Sequence, residues 1–135
     1  MTQAALDAIG ERAGARRNLT LCRSSLDAQW PPGDFDLVVL SEVAYCLSAA
    51  ASRRVLDREC ARLAVGVTVI AAHWRHRVAD YPMSGDEANA HVLATAGMNP
   101  IGRYLDDDVV IDVLQKGTAQ SVAVRTAVPG AVEAD

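Results

Sequence analysis

Apolar positions along the chain fall into blocks whose period switches between that of a helix and that of a strand. Ala4, Ala5, Leu6, Ala8, Ile9 and Ala13 recur at helical spacing, with Glu11, Arg12, Arg16 and Arg17 lying elsewhere. This pattern predicts a helix over 3–15, with Gly14 as its stop. Asn18 to Ser24 (NLTLCRS) alternates as a strand does, and the paired prolines and Gly33 that follow mark a loop. Phe35 to Leu40 is apolar on both faces apart from Asp36, the pattern of a strand sandwiched between helix layers. Helical spacing returns from Ser48, a candidate N-cap, to Leu63, and places Ala51, Val55, Leu56, Cys60 and Leu63 on the inner face. Val67 to Ala72 (VTVIAA) reads as a second buried strand, closed by His73-Trp74-Arg75-His76. After a loop to about Pro82, Ser84 or Asp86 opens a short helix to Ala94. Pro100–Leu105 and Val109–Leu114 flank Asp106-Asp107-Asp108 as a hairpin. From Gly117 onward no period remains, so 1–116 is expected to form one domain and 117–135 a flexible tail.

Strands alternating with helices and ending in a hairpin predict an α/β sheet with an antiparallel edge. Composition adds exclusions. Of 135 residues half are apolar and 22% charged, the net charge is −4, and Lys116 is the one lysine among thirteen basic residues. That balance argues against a strong electrostatic footprint on nucleic acid. No run approaches eighteen apolar residues and the N-terminus carries no apolar signal core, so neither a membrane span nor a leader is expected. A cytoplasmic location follows as an expectation. Cys22, Cys46 and Cys60 are odd in number, never spaced Cys-x-x-Cys, and are read as buried reduced thiols. His73 and His76, with Asp80 and His91 behind them, follow a strand and share no fixed face, so no metal site is expected.

The most informative point is where Phe35–Leu40 stops, at Ser41-Glu42. In open α/β sheets ligands sit beyond the carboxyl ends of the strands, and Ser41-Glu42 and His73-Trp74 would both end strands at that rim. Taken in order, WPPGDFDLVVLSEVAYCL, VTVIAA, HWRHRVADYPMSGDEANAH and GRYLDDDVVIDVL resemble the S-adenosylmethionine-dependent methyltransferases of the nodulation protein S type. The resemblance covers roughly residues 4–116. It implies the class I methyltransferase sheet, of strand order 3-2-1-4-5-7-6, with S-adenosylmethionine as cofactor. Nodulation members N-methylate the free amino group of a deacetylated chito-oligosaccharide. On that framework 18–24 is the third strand, Phe35–Leu40 the fourth, Val67–Ala72 the fifth, and the hairpin the sixth and seventh. The family's first strand, glycine-rich turn, helix and second strand have no counterpart in these residues. The expectation is therefore a partial Rossmann-like sheet, mostly parallel with an antiparallel C-terminal hairpin, lacking the first two strands.

The resemblance also implies roles, each with a plainer alternative. Glu42 would contact the cofactor or orient the substrate amine, or it is a helix-start carboxylate favoured by the dipole. Tyr45 would face the cofactor's sulfonium in a cation–π contact, or it packs on the sheet. His73 would accept a proton from an ammonium substrate, or it is a hydrogen-bonded strand-end histidine. Trp74, with His76 and Tyr81, would line the acceptor pocket, or its ring is core. Ser24, Ser25, Leu26, Ser41 and Glu42 fall where the cofactor contacts are expected, though the serines also suit a plain loop. With two sheet positions empty, Phe35–Leu40 would be an exposed edge, leading to a re-paired small sheet, an oligomer or partner strand that fills the gap, or no stable fold. Two functions follow: a methyltransferase acting on an amino sugar or oligosaccharide, or a catalytically silent remnant serving as a binding or oligomerisation module.

Overall fold

The computed structural model describes residues 3–14, 18–117 and 120–131. Helix α1 (Gln3–Ala13) ends where expected, since Gly14 adopts φ +58 and its amide bonds back to the Gly10 carbonyl at 3.1 Å. Strand β1 (Leu37–Ser41) leads through a 3-10 turn (Ala44–Cys46) into helix α2 (Ala49–Arg62), capped by Ser48. Strand β2 (Thr68–Trp74) and helix α3 (Gly85–Leu93) follow. The capping box that opens α3 is reciprocal: Ser84 Oγ accepts from the Glu87 amide at 3.2 Å, and Glu87 Oε2 accepts from the Ser84 amide at 2.7 Å. Strands β3 (Met98–Leu105) and β4 (Val109–Lys116) form the hairpin. Its turn is made by the Asp106 carboxylate, which accepts from the amides of Asp108 and Val109 at 2.9 and 2.7 Å.

The four strands lie in the order β1-β2-β4-β3. β1 pairs parallel to β2, and β4 pairs antiparallel to both β2 and β3. Three strands thus point one way and β4 the other, which is the 4-5-7-6 half of the expected sheet. The fold class is the one the sequence predicts. A register shift between Pro100 and Gly102 places a bulge in β3.

One face of this sheet carries the core. Leu40, Val69, Ala71 and Leu114 meet Leu56 and Cys60 of α2 and Val92 of α3. Burial pushes the Cys60 thiol up to about 11. The opposite face alternates out of step with it, and neither of the apolar clusters includes its side chains. Leu37 and Val39 are 51% and 54% exposed there, and Ile70, Ile111 and Val113 are half-buried.

Two expectations need correction. Residues 18–24 form no strand: they are exposed and pair with nothing in the sheet. The chain beyond them is tied to α2 instead, since Arg58 donates to the Ala28 carbonyl at 2.7 Å and Leu26 and Trp30 pack against the core. That holds 18–24 out of the ladder although the edge of β1 is open, and a strand without a ladder is not stable on its own. Cys22 and Cys46 are exposed, so only Cys60 is the buried thiol expected of all three. Past Lys116, where no period was visible, Ser121 caps a one-turn helix α4 (Val122–Arg125), and Arg125 donates to the Gly66 carbonyl.

Gly85 sets how closely α3 approaches the end of β2. A Cβ added there would stand 2.1 Å from the Trp74 carbonyl oxygen, a backbone atom with nowhere to go. Gly85→Ala is expected to lower stability by about 1–3 kcal/mol or more through overpacking. Gly10→Ala, whose added Cβ meets only Leu21 Cδ1 at 3.8 Å, should leave stability unchanged or raise it by up to about 1 kcal/mol. Urea denaturation of both variants checks the contrast, and equal midpoints would refute it.

Candidate active site

The ends of β1 and β2 lie side by side, Ser41 opposite Ala72, as the rim argument requires. The ladder then continues one residue past the strand, because the Glu42 amide donates to the Ala72 carbonyl at 3.0 Å. Glu42 itself adopts φ +56. A non-glycine residue in this left-handed region costs about 1–2 kcal/mol and persists only when its surroundings fix it. Here they do. One oxygen of the Glu42 carboxylate accepts from the Trp74 amide at 2.7 Å, and the other accepts from the Tyr45 hydroxyl. The carboxylate is thereby pinned over the gap between the two strand ends while remaining exposed to solvent.

Tyr45 is buried beneath it, in a small cluster with Ala44, Met83 and Ala88. Its ring stacks on Tyr81 at 4.7 Å and meets the edge of His73 at 5.2 Å. Burial, and then the bond to the Glu42 carboxylate, hold its phenol far above the usual tyrosine value. Trp74 is 41% exposed and tilts against His76 at 4.7 Å. His76 Nε2 in turn lies 2.7 Å from Asp108 in the hairpin turn. Arg75 ties the same rim to α3 through Asp86 at 2.9 and 3.1 Å.

His73 is fully buried and both of its ring nitrogens are engaged. Nε2 accepts from the Ala44 amide at 3.1 Å, and Nδ1 lies 2.6 Å from Asn89 Oδ1. Burial lowers its pKa, against the opposing pull of the Asn89 bond and the Glu42 charge. A ring so placed presents no free lone pair to an acceptor amine; of the two readings of His73, the geometry matches the hydrogen-bonded strand-end histidine.

The rim therefore brings together Glu42, Tyr45, His73, Trp74, His76 and Tyr81. Ser41 ends β1 beside them. Ser24 and Ser25 make no contact with this group: their hydroxyls turn to the Ser25 carbonyl and the Asp27 carboxylate. Leu26 lines a groove of about 270 Å³ along the open edge of β1, with Trp30, Phe35, Leu37 and Val39. Sequence reasoning missed Asn89 and Asp112. Both carried a signal: Asn89 interrupts the inner face of α3 between Ala88 and Val92, and Asp112 is an acid at an inward position within the apolar run Val109–Leu114.

No protein-family model and no curated protein matches the chain. Among solved structures it is similar to a candidate methyltransferase from Pseudomonas syringae, at 30% identity over 65% of this chain and 51% of that one, with a TM-score of 0.52. The chain thus spans about half the length of that neighbour. It is also similar to the N-methyltransferase NodS from Bradyrhizobium japonicum WM9, at 14% identity and TM-score 0.71 over 87% of this chain and 70% of that one. NodS in complex with S-adenosyl-l-homocysteine gives 16% identity and the same TM-score, 0.71, over 85% and 63%. These likenesses establish the fold as that of the methyltransferases. The particular architecture it shares is that of NodS, the kind of neighbour the rim segments pointed to.

The lowered pKa of His73 makes a signed prediction. With the folded value below 6.5, the neutral ring stabilises the fold fully above that pH, and the contribution is lost as pH falls through the folded pKa. The urea midpoint should therefore drop between about pH 7.5 and pH 5. His73→Gln, less stable at the upper pH, should lose less across that window. Equal pH slopes for the two proteins would contradict the assignment.

Proposed function

We propose that the chain is an S-adenosylmethionine-dependent methyltransferase domain whose acceptor is an amine, in the manner of an amino sugar or oligosaccharide, working in the cytoplasm. The observation that carries this reading is the Glu42 carboxylate, fixed by two hydrogen bonds at the carboxyl rim of a methyltransferase sheet beside Tyr45, Tyr81 and Trp74. An exposed anion flanked by aromatic rings suits a cationic ligand, whether a sulfonium or an ammonium. The complex of NodS with S-adenosyl-l-homocysteine supports the cofactor class. When bound, that cofactor supplies an activated methyl group on a positively charged sulfur. The chain's own task is positioning: Glu42 orients the cation, and the exposed Trp74 face, braced by His76, offers a surface on which a sugar ring stacks. An attacking amine must be uncharged. With His73 enclosed, the proton leaves to solvent or to Glu42. The adenosine side is less complete, since Ser24 and Ser25 stand apart from the rim.

Calorimetric titration with S-adenosylmethionine, whose sulfur carries the positive charge, tests this. The wild-type chain should bind with a submillimolar Kd, and Glu42→Gln should bind about tenfold more weakly, a loss of roughly 1.4 kcal/mol. No binding at millimolar ligand would defeat the proposal.

A second reading rests on a different observation, the open edge of β1. Thr68 donates to the Asp36 carbonyl and Glu42 to the Ala72 carbonyl, so the even-numbered residues of this segment face β2. Leu37, Val39 and Ser41 therefore turn their backbone groups outward, along a strand with apolar side chains on both faces. On this reading the domain is a binding or oligomerisation module that accepts a strand. Symmetric pairing of two β1 strands about Val39 would set Asp36 opposite the partner's Glu42, a like-charge contact that favours a strand from another polypeptide. Amide exchange distinguishes the cases: the Leu37, Val39 and Ser41 amides should exchange rapidly in the isolated chain while those of Val38 and Leu40 stay protected. Protection of the first three that fades on dilution would instead identify a second copy.

A further inference from the structure

Beneath the rim, a chain of buried polar groups crosses the fold. Asn89 Nδ2 donates to Asp112 Oδ2 at 2.7 Å and to the Ala71 carbonyl at 3.2 Å. That orientation turns Asn89 Oδ1, an acceptor, toward His73 Nδ1. At the other end of the ring stands the Ala44 amide, which can only donate. The two ends agree on one arrangement: the proton sits on Nδ1, and Nε2 offers its lone pair to Ala44. Asp112 is itself held by Arg103 of β3 at 3.4 Å. His73, Asn89 and Asp112 are each almost wholly buried, so each hydrogen bond is one that water cannot replace.

We infer that Asn89 is a positioning residue for the rim, fixing the His73 tautomer and through it the backbone of the turn that carries Glu42 and Tyr45. Ala44 lies between those two residues, and its amide loses the acceptor it has once the ring turns or gains a second proton. The turn's left-handed Glu42 is not a conformation the chain would keep unaided. Asn89 and Asp112 thus act at the site without touching its ligand, by way of a neutral histidine used as an acceptor of a backbone hydrogen bond. This assignment rests on the rim being the ligand site, but the state of the ring is measurable without any ligand.

The groups that face the ring are Glu42 and Tyr45 from the turn, Asn89 from α3 and, through Asn89, Asp112 from β4 with Arg103 from β3. Asn89→Asp keeps an acceptor for Nδ1–H but sets a second carboxylate against Asp112 and a negative charge against the ring. Ring nitrogen NMR of the free wild-type chain should show Nδ1 protonated and Nε2 bare at neutral pH. In Asn89→Asp the ring should take its second proton at higher pH. The Ala44 amide should lose protection in step with that proton, and S-adenosylmethionine affinity should fall by about tenfold as the proton binds, the loss expected when a buried donor loses its acceptor. A wild-type ring protonated on Nε2 overturns the inference. So does ring protonation that leaves Ala44 protection unchanged. If Asn89→Asp does not fold, acidifying the wild-type chain provides the same comparison of ring state with Ala44 protection. A chain that binds no ligand removes the proposed function, while the ring and amide signals still decide the clamp.

Discussion

The parallel ladder between β1 and β2 does not end with the strands; three further hydrogen bonds extend it over their carboxyl ends. The Glu42 amide reaches Ala72, the Trp74 amide reaches the Glu42 carboxylate, and the Ala44 amide reaches the His73 ring. Each satisfies a backbone donor that would otherwise point into a partly dry rim. The chain can make all three only by turning sharply at Glu42, and the sharp turn is what lifts the carboxylate above the sheet and drops Tyr45 beneath it. Removing any one of the three acceptors leaves the strained residue less supported, so the geometry of the site and the stability of the turn are the same property.

The elements legible from sequence were those in which local signals agreed. Ser48 and Ser84 precede helices as caps, the apolar runs Phe35–Leu40 and Val67–Ala72 gave neighbouring strands that begin at Leu37 and Thr68, and the triple aspartate formed the hairpin turn. Residues 18–24 failed because alternation alone does not make a strand; it needs a ladder partner, and Leu26 and Trp30 anchor the following chain beside α2. The side-by-side placement of the rim residues was legible because parallel neighbouring strands bring their carboxyl ends to one edge. Their division of labour was not. Nothing in the letters His73 and Glu42 says that the histidine would be enclosed between two partners and the carboxylate left outside, since that depends on Asn89, sixteen residues away.

The two faces of the sheet divide the molecule's roles. α2 and α3 cover one face and bury both the apolar core and the polar chain that runs from Asp112 through Asn89 and His73 to Ala44. All the groups that set the rim therefore belong to elements this chain supplies. The other face, with Leu37 and Val39 in solvent, contributes nothing to that support. A strand added at β1 would cover apolar surface and complete a sheet without disturbing Glu42, because the carboxylate is braced from the β2 side. The methyltransferase reading and the strand-accepting one are thus mechanically compatible.

The contact at Gly85 has an implication for how such a site would select its ligand. Because α3 meets the Trp74 carbonyl backbone to backbone, that wall cannot retreat by a change of rotamer. On the proposed reading, differences in ligand bulk would be absorbed instead by side chains of the rim that can change rotamer, such as the exposed Trp74 and its neighbour His76. Diversification toward larger or smaller acceptors would accordingly fall on those rotatable rings, with the helix start held by backbone geometry.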